Sequence, residues 1–552
     1  MKPSKEYPQQ HRINKVLIAN RGEIALRIKR AADKLGIQSC LVVSQADQNQ
    51  SYVTQFDSIK VLPGSTAAET YLNQAVIIEA AKSLNADAIH PGYGFLSENA
   101  GFAKAVTDSG LIFIGPAAQT IENLGSKTSA RKLVTSVGVP VVPGTEGGLT
   151  DKQLIEAAKE KIGLPLLIKA TAGGGGRGMK IVRTWDELPQ LLERARAEAK
   201  KFFSNEDVFI ERYVEDPRHI EVQLFGDRYG NVVHFGTRDC SAQRRYQKVI
   251  EEAPATTLTD ALREQIHNAA LLAARAANYC NAGTAEFIVS GDEFYFLEIN
   301  TRIQVEHPVT EEAYQQDLVE LQFKVAMGYS LANHEVKKQP AFYSIELRIY
   351  SEDPSNFSPS LGQITHLSHS KIDPNCIRLE MGFKEGDSVL PYYDAMIGKL
   401  IVTGRSRIST IDYAYDFLKT FKIQGINTNI TFLKWLLCYN PFRDGTLSIQ
   451  QIERDFKIEY LSAIEKREVV DSKWTKAHDN TEVVEYVKIA NGAFGASLKS
   501  SVVKVIHRSD KTFLFIPLNA DGSESCTSCW RRSNSFQNGL NSFYQGPHLV
   551  LI

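Results

Sequence analysis

The amino-acid sequence predicts a mixed α/β fold built from several domains, and three patterns point to this class. In the first 115 residues, apolar runs typical of buried parallel strands alternate with stretches at helical spacing. Between residues 207 and 404, strands with alternating polar and apolar positions predominate; after residue 480, short strand-like segments are separated by Gly, Asn and Ser. At 552 residues the chain has material for three or four domains of ordinary size.

Composition and charge narrow the class of protein. The formal net charge of -1 gives no electrostatic reason to expect nucleic acid or an anionic membrane as a partner. No apolar run approaches the length of a membrane span, and the polar N-terminus lacks the core of a signal peptide. Seven scattered cysteines suit reduced thiols, so we expect a cytoplasmic protein. Cys526 and Cys529 form a single C-x-x-C, for which chance is favoured over a zinc or redox site.

The N-terminal segment predicts a doubly wound parallel sheet. A strand at 15–20, a helix with apolar residues at helical spacing and a strand at 39–44 form one βαβ unit. A helix at 71–84 and strands at 86–90 and 111–115 continue the alternation. Ligands of such sheets gather at the carboxyl ends of the strands, where two Gly-containing loops follow here. Neither loop reads G-x-G-x-x-G, so a dinucleotide site is weakly supported.

A glycine run follows the predicted strand at 165–170. The sequence TAGGGGRGM lies between that strand and another at 179–183. Consecutive glycines let backbone N–H groups approach an anion closely, and Lys169 adds a charge suited to phosphate. The G-K-[ST] ending of a Walker A loop is absent. A flexible linker is the alternative, but the position between two strands favours a flap that covers phosphates.

A basic run occupies the end of the next pair of alternating strands. Residues 217–254 contain Arg238, Arg244, Arg245 and Lys248. Such a run is usually a solvated face. Because this one lies between two strands and precedes a pair of carboxylates, a cationic wall for phosphate or bicarbonate is the favoured interpretation.

The segment 283–312 predicts a hairpin that carries chemistry. Apolar runs at 284–289 and 293–299 flank a turn, and a three-residue loop at 291–293 would set Glu286 opposite Glu298. Alternation adds Asn300 to the same face. Two facing carboxylates and an amide suggest a hard divalent cation between them. A polar run follows, with Arg302, Gln304, Glu306 and His307; an exposed hairpin with scattered charges is the less favoured alternative.

The order of motifs resembles the biotin carboxylase component of biotin-dependent carboxylases, in the ATP-grasp superfamily. Single motifs such as the glycine run are weak, but eight in series are specific and cover roughly residues 13–460. The motifs are IANRGEIALRI, HPGYGFLSEN, IKATAGGGGRGM, ERYVEDPRHIEVQ, RDCSAQRRYQKVIEEAP, EINTRIQVEHPVTE, RIYSEDP and YYDAMIGKL.

The resemblance implies a domain order. It comprises a Rossmann-like N-terminal domain at 1–127, an ATP-grasp lid at 128–214, an ATP-grasp core at 215–342 and a biotin carboxylase C-terminal domain at 343–463. The remainder, 464–552, reads as a linker and a small β-rich module of unknown role.

The resemblance also implies ligands and residue roles. ATP would lie between lid and core, held by Lys127, Lys169, Gly173, Gly174, Gly175, Gly176, Glu211, Arg212, Tyr213, Val214, His219, Gln243 and Tyr246. Glu286, Glu298 and Asn300 would hold Mg²⁺ or Mn²⁺. Lys248, Arg302, Gln304 and Val305 would surround bicarbonate, and Glu306 would be the general base. A carboxylate near an Arg can act as a base if solvent is excluded and its pKa is tuned toward the working pH. Arg348 would stabilise the enolate of biotin, and Asp394 would be a further substrate-binding residue.

The implied reaction is the first half-reaction of an acetyl-CoA, propionyl-CoA or pyruvate carboxylase type of enzyme. ATP activates bicarbonate as carboxyphosphate, and the carboxyl group then passes to biotin. No A-M-K-M biotin acceptor is present, so a separate biotin carboxyl carrier protein and a carboxyltransferase are the expected partners, and a homodimer is a further expectation.

Two departures from the family pattern keep alternatives open. Tyr246 replaces a nucleotide-site His, and Thr237 stands where the family usually has Glu. A non-catalytic nucleotide-binding subunit of a carboxylase complex is therefore one alternative, and another ATP-grasp ligase for a carboxylate is a second. The retained Glu286, Glu298, Glu306 and Arg348 favour the working enzyme.

Overall fold

A computed structural model describes residues 12–171, 179–203, 205–245, 247–333, 337 and 339–456, together with the backbone of six strands in the tail. The N-terminal unit is a parallel five-stranded sheet in the order β3-β2-β1-β4-β5, and alternate strand residues pack on its two faces. This confirms the doubly wound sheet. Its elements are β1 Lys15–Ile18, α1 Gly22–Lys34, β2 Gln38–Ser44, a 3₁₀ turn Val53–Gln55, β3 Ser58–Leu62, α2 Gln74–Ser83, β4 Ala88–His90, α3 Ala100–Asp108, β5 Ile112–Phe113 and α4 Ala118–Gly125.

A small antiparallel sheet in the order β7-β6-β8, with helices against it, forms the second unit. The predicted glycine flap, Gly173–Gly176, joins β6 to β7 and lies outside the described residues. The elements are α5 Lys127–Ser136, α6 Asp151–Ala157 with a π-helical turn Ala158–Ile162, β6 Leu166–Ala170, β7 Lys180–Val182, α7 Leu188–Phe203 and β8 Val208–Arg212.

An eight-stranded antiparallel sheet, in the order β13-β12-β9-β10-β11-β14-β19-β17, is the centre of the molecule. It runs without interruption across the predicted boundary at 342, through the pairing of β11 with β14. Its first part comprises β9 Arg218–Gly226, β10 Val232–Arg244, β11 Gln247–Ala253, α8 Asp260–Ala276, β12 Asn281–Ser290, β13 Glu293–Asn300, α9 His307–Tyr314, α10 Leu318–Ala326 and a 3₁₀ turn Leu331–Asn333.

The C-terminal part of this sheet is covered by helices whose apolar faces pack on β14 and β19. Two small ribbons, β15 with β18 and β16 with β20, flank it. The elements are β14 Tyr343–Tyr350, β15 Gly362–Gln363, β16 His366–Ser368, β17 Ile377–Met381, β18 Ser388–Val389, β19 Met396–Gly404, α11 Arg407–Thr420, β20 Lys422–Gln424, α12 Ile430–Cys438, α13 Asn440–Arg443 and α14 Gln451–Asp455.

The tail strands pair in chain order as an antiparallel sheet. They are β21 Val483–Ile489, β22 Ser501–His507, β23 Phe513–Pro517, β24 Trp530–Arg531, β25 Ser542–Gln545 and β26 His548–Leu551. Cys526 and Cys529 lie outside the described residues. Within the part of the chain that is described, no helix has the length and apolar character needed to cross a bilayer.

The β12–β13 hairpin differs from the prediction in its loop. Ser290 pairs with Glu293, so the turn has two residues, with Gly291 at a φ of 57°. A β-bulge then shifts the register between Glu286 and Phe287. The expected three-residue loop is therefore wrong, but the bulge restores the predicted pairing of Glu286 with Glu298.

Buried ion pairs join the N-terminal unit to the large sheet. In this arginine cluster, three arginines from α1 and β17 pair with carboxylates of α9 and β17: Arg27, Arg30, Glu311, Arg378 and Glu380. Arg27 lies 2.6 Å from Glu311, and both side chains are 4% exposed. The cluster fixes α1 against the segment that follows the hairpin.

Candidate active site

Three glutamates lie in a row across neighbouring strands. Glu286 of β12 pairs with Glu221 of β9 on one side and with Glu298 of β13 on the other. Like charges opposite one another in a sheet repel, so this row needs cations. The described cations that contact it are Lys248, Arg238 and His219, and Lys127 approaches Glu298 at 4.0 Å.

Lys248 joins the row to the polar run after the hairpin. Its Nζ lies 2.6 Å from Glu221, 3.0 Å from Glu286 and 2.6 Å from Glu306. On the far side, Arg348 Nη2 lies 3.0 Å from Glu306 and 2.5 Å from Glu251. These residues form one buried group, which we call the catalytic cluster: His219, Glu221, Lys248, Glu286, Glu306 and Arg348.

The pKa of Glu306 is set by the charges that face it. Burial alone would raise the pKa of Glu306, but the facing Lys248 and Arg348 outweigh it and lower the pKa to about 2. One condition for Glu306 to act as a base, a pKa near the working pH, is therefore not met in this structure. Glu306 is ionised, as a base must be, but its cationic partners weaken it.

The predicted metal ligands lie together at the edge of this cluster. Asn300 Nδ2 donates to Glu286 Oε1 at 2.8 Å. Burial raises the pKa of Glu298, and the charge of Glu286 raises it further. Two facing carboxylates whose repulsion is incompletely offset are a donor set that fits Mg²⁺ or Mn²⁺.

His219 contacts the same row from β9. Its Nε2 lies 3.3 Å from Glu286 Oε2. Burial alone would lower the pKa of His219, but Glu286 outweighs this and raises it to about 9, so the imidazole is charged. Gln243 is also buried and donates to the carbonyl of Cys240 at 2.8 Å. Tyr246 lies outside the described residues.

On the lid side of the predicted nucleotide site, two cations pair with one carboxylate. Lys169 Nζ lies 2.5 Å from Glu211, and Arg131 of α5 contacts the same carboxylate. In this structure the ammonium group of Lys169 is therefore paired with Glu211. Further along the predicted edge, Arg212 lies 2.8 Å from Glu293, and the Tyr213 hydroxyl donates to Gln450 at 2.7 Å. Val214 packs in a small cluster with Val142 and Tyr295.

The predicted bicarbonate residues occupy the loop between β13 and α9. Arg302 Nε donates to Glu98 at 2.9 Å, and Gln304 Nε2 donates to Glu286 at 2.8 Å. The Val305 carbonyl accepts from Lys399 at 2.8 Å. Asp394 is exposed on the approach to β19 and accepts from its own backbone at Met396.

Several residues of the site were not predicted from the sequence. Those in contact with predicted residues are Glu98, Arg131, Glu221, Glu251 and Lys399, and Glu346 lies beside Glu251 in the register. Strand alternation places Glu221 on the face of His219, a signal that could have found it. Thr237, which stands where the family usually has Glu, is buried, and its hydroxyl accepts from the backbone N–H of Ala255 at 3.3 Å.

Comparisons with known proteins agree with this arrangement. Three family models match in succession: "Biotin carboxylase, N-terminal domain" over 12–121, "Carbamoyl-phosphate synthase L chain, ATP binding domain" over 126–334 and "Biotin carboxylase C-terminal domain" over 346–454. The biotin carboxylase of Halalkalibacterium halodurans is 45% identical over 447 residues, which cover 80% of this chain and 98% of that protein.

A longer relative and a solved structure give the same family. The mitochondrial methylcrotonoyl-CoA carboxylase subunit alpha of Glycine max is 44% identical over 84% of this chain, which spans only 64% of that subunit. The biotin carboxylase domain dimer of Hydrogenobacter thermophilus 2-oxoglutarate carboxylase, with MgADP, ADP and bicarbonate, is 41% identical. The match covers 81% of this chain and 98% of that one, with a TM-score of 0.75. The chain therefore belongs to the biotin carboxylase family of ATP-grasp enzymes.

Proposed function

We propose that this chain catalyses the ATP- and bicarbonate-dependent carboxylation of biotin carried on a separate protein, by way of carboxyphosphate. One observation carries the proposal: the Glu306 carboxylate lies between Lys248 and Arg348, and Lys248 links it directly to Glu286 of the predicted metal set. A base, an anion-binding cation and a metal-binding carboxylate are thus adjacent, as a reaction between a nucleotide phosphate and bicarbonate requires.

The nucleotide side is assigned to residues at the lid and the row of glutamates. We assign phosphate binding to Lys127, Lys169 and His219, and metal binding to Glu286, Glu298 and Asn300. When bound, Mg²⁺ or Mn²⁺ would offset charge on the phosphates of ATP. Because Glu211 holds Lys169 in this structure, nucleotide binding must exchange this carboxylate for phosphate. We expect this exchange of partners to accompany movement of the lid when ATP binds.

The bicarbonate side is assigned to Lys248, Arg302, Gln304, Val305 and Glu306. An anion bound against Lys248 would share the charge that now pairs with Glu306 at 2.6 Å. Sharing that charge raises the pKa of Glu306 and so strengthens it as a base when its substrate is present. Proton removal by Glu306 would then make bicarbonate a better nucleophile toward the terminal phosphate of ATP.

Arg348 is assigned to the biotin side. Its guanidinium contacts the carboxylates of Glu306 and Glu251; burial alone would lower the pKa of Arg348, but these carboxylates outweigh burial and keep the guanidinium charged. A fixed cation next to the base would stabilise the negative charge that develops on the ureido oxygen when biotin loses its proton.

The partners follow from the chemistry and from the named relatives. A biotin carboxyl carrier protein would present biotin, and a carboxyltransferase would use the product. The acyl acceptor belongs to that second enzyme; the relatives' names include methylcrotonoyl-CoA and 2-oxoglutarate carboxylases. We also propose a homodimer, since the solved relative is a dimer of the matching domain. Cytoplasmic location stays a prediction.

The test is phosphate release by the full chain with Mg-ATP, with bicarbonate and free biotin each supplied or omitted. The proposal expects release that needs bicarbonate and is stimulated by biotin. A folded protein that binds Mg-ATP but shows no biotin stimulation would support the non-catalytic subunit. Release that depends on another carboxylate in place of bicarbonate would support the alternative ligase.

A further inference from the structure

The lysine of the motif YYDAMIGKL has no role in the chemistry proposed above. Lys399 lies in β19, and its side chain is 0% exposed. A buried ammonium is costly unless it is closely paired, so its partners indicate its purpose.

Lys399 joins three distant parts of the chain. Its Nζ donates to the Val305 carbonyl at 2.8 Å, lies 3.1 Å from Glu23 Oε1 and lies 4.0 Å from Glu380 Oε2. Glu23 is in the first turn of α1 and also accepts from the Tyr93 hydroxyl. Residues of the motifs IANRGEIALRI, HPGYGFLSEN and YYDAMIGKL therefore meet directly beneath the loop that precedes α9.

The contact with Val305 constrains the predicted base. The Val305 carbonyl belongs to the rigid peptide unit that leads to Glu306, so fixing this carbonyl restricts the direction in which Glu306 leaves the backbone. The loop from Thr301 to Glu306 lies between β13 and α9, outside any helix or strand, and so lacks the regular hydrogen bonds that would fix it. A charged donor from strand β19 supplies a strong anchor in their place.

We propose that Lys399 is a positioning residue for the bicarbonate-binding loop, which it holds through the Val305 carbonyl with Glu23 as its counter-charge. This rests on the proposed function, because bicarbonate is the ligand assigned to the loop. Burial alone would lower the pKa of Lys399, but Glu23, Glu346 and Glu380 outweigh it and keep the pKa above its ordinary value. The anchor therefore stays charged across the working range of pH.

The experiment compares Lys399→Met, Lys399→Arg and the matched control Glu380→Gln in the full chain. Glu380→Gln removes the more distant flanking carboxylate and leaves the Val305 contact in place. The measurements are KM for bicarbonate, kcat, the Kd for Mg-ATP, and hydrogen exchange at the amides of residues 303–309. Lys399→Met is expected to raise KM for bicarbonate about tenfold, the effect of one lost charge-assisted hydrogen bond, with the Mg-ATP Kd within about twofold.

Lys399→Met should also show faster amide exchange in residues 303–309. Lys399→Arg should bring the bicarbonate KM part of the way back to that of the unaltered chain. Glu380→Gln should leave the bicarbonate KM within about twofold of the unaltered value. A folded Lys399→Met protein with unchanged bicarbonate KM and unchanged exchange would overturn the proposal. If Lys399→Met does not fold, Glu23→Gln decides by the same two measurements. If the unaltered chain shows no bicarbonate-dependent turnover, the proposed function fails, and the exchange rates alone decide whether Lys399 holds the loop.

Discussion

The catalytic cluster and the arginine cluster both hold buried glutamates, but these glutamates are paired with different cations. In the arginine cluster every carboxylate has at least one arginine partner: Glu311 has Arg27 and Arg378, and Glu380 has Arg30 and Arg378. In the catalytic cluster the three carboxylates share Lys248, and each has a second cation of its own: Arg238 for Glu221, His219 for Glu286 and Arg348 for Glu306.

Neighbouring carboxylates accentuate the difference. Glu346 pairs in register with Glu251 and has neither a hydrogen bond nor an ion pair with any residue that the structure describes. Burial raises the pKa of Glu251 to about 7 and that of Glu346 well above its ordinary value. Matched ion pairs stabilise one arrangement of the chain, whereas a surplus of carboxylate leaves room for a metal ion and for proton transfer.

The largest effect is expected from Glu306→Gln, which removes the base. Biotin-dependent turnover should fall about 10³-fold, because a positioned general base contributes roughly 10²- to 10⁴-fold. The Kd for Mg-ATP should stay within about twofold, since Glu306 is not assigned to the nucleotide. The measurement is phosphate release together with nucleotide titration. Collapse of nucleotide binding as well would make Glu306 a structural residue or a metal ligand.

Arg27→Met tests the matched cluster. It leaves the buried Glu311 with Arg378 alone, and breaking a buried pair should lower the free energy of unfolding by about 3 kcal/mol. The bicarbonate and ATP KM values of the folded fraction should stay within about twofold, because Arg27 contacts no assigned substrate residue. Denaturant unfolding and steady-state kinetics check this. A large rise in either KM with unchanged stability would mean that the arginine cluster serves substrate binding rather than stability.

A stacked histidine pair outside both clusters predicts acid sensitivity. His234 and His267 have ring centroids 4.1 Å apart, and burial lowers the pKa of each to about 4. Because these values lie below that of an unfolded histidine, the unfolded chain binds more protons, and stability falls as the pH drops from about 6.5 to about 4. When the free energy of unfolding from denaturant titrations is plotted against pH across this window, the slope should be smaller for His267→Leu than for the unaltered chain. An unchanged slope would contradict the assigned charge states.

Glu346→Gln should have the smallest effect. Burial raises the pKa of Glu346, which favours the neutral acid, and Gln has nearly the same shape as that form. Turnover should stay within about twofold and the free energy of unfolding within about 1 kcal/mol. Turnover and denaturant midpoints would check this, with Glu306→Gln as the matched active-site comparison. A loss of several kcal/mol would mean that Glu346 is ionised and paired.

The sequence predicted the pairing of Glu286 with Glu298, and the structure reaches this pairing through two features that compensate for each other. Strand alternation and a Gly-containing turn were readable, but the loop is one residue shorter than expected, and the bulge that restores the register has no local signal. The low pKa of Glu306 could not be predicted either. It depends on Lys248 and Arg348, which reach the loop from two other strands.

Contacts between distant segments account for the rest of what the sequence did not show. The pairing of Arg131 with Glu211 depends on where α5, which packs on α8 and β13, lies relative to β8. Lys399 was visible as a polar interruption of an apolar strand, but its partner Glu23 lies near the other end of the chain. Spacing within a strand predicts which side chains share a face, whereas ion pairs between domains depend on the packing of the whole molecule.

Transfer of label from radioactive bicarbonate to free biotin, measured as acid-labile counts, tests the central claim most directly. With Mg-ATP present, the account predicts labelled carboxybiotin from the unaltered chain and from the folded Arg27→Met protein, and none above background from Glu306→Gln. Equal labelling by Glu306→Gln, or no labelling by a folded, nucleotide-binding wild-type chain, would contradict the assignment of the catalytic cluster to biotin carboxylation.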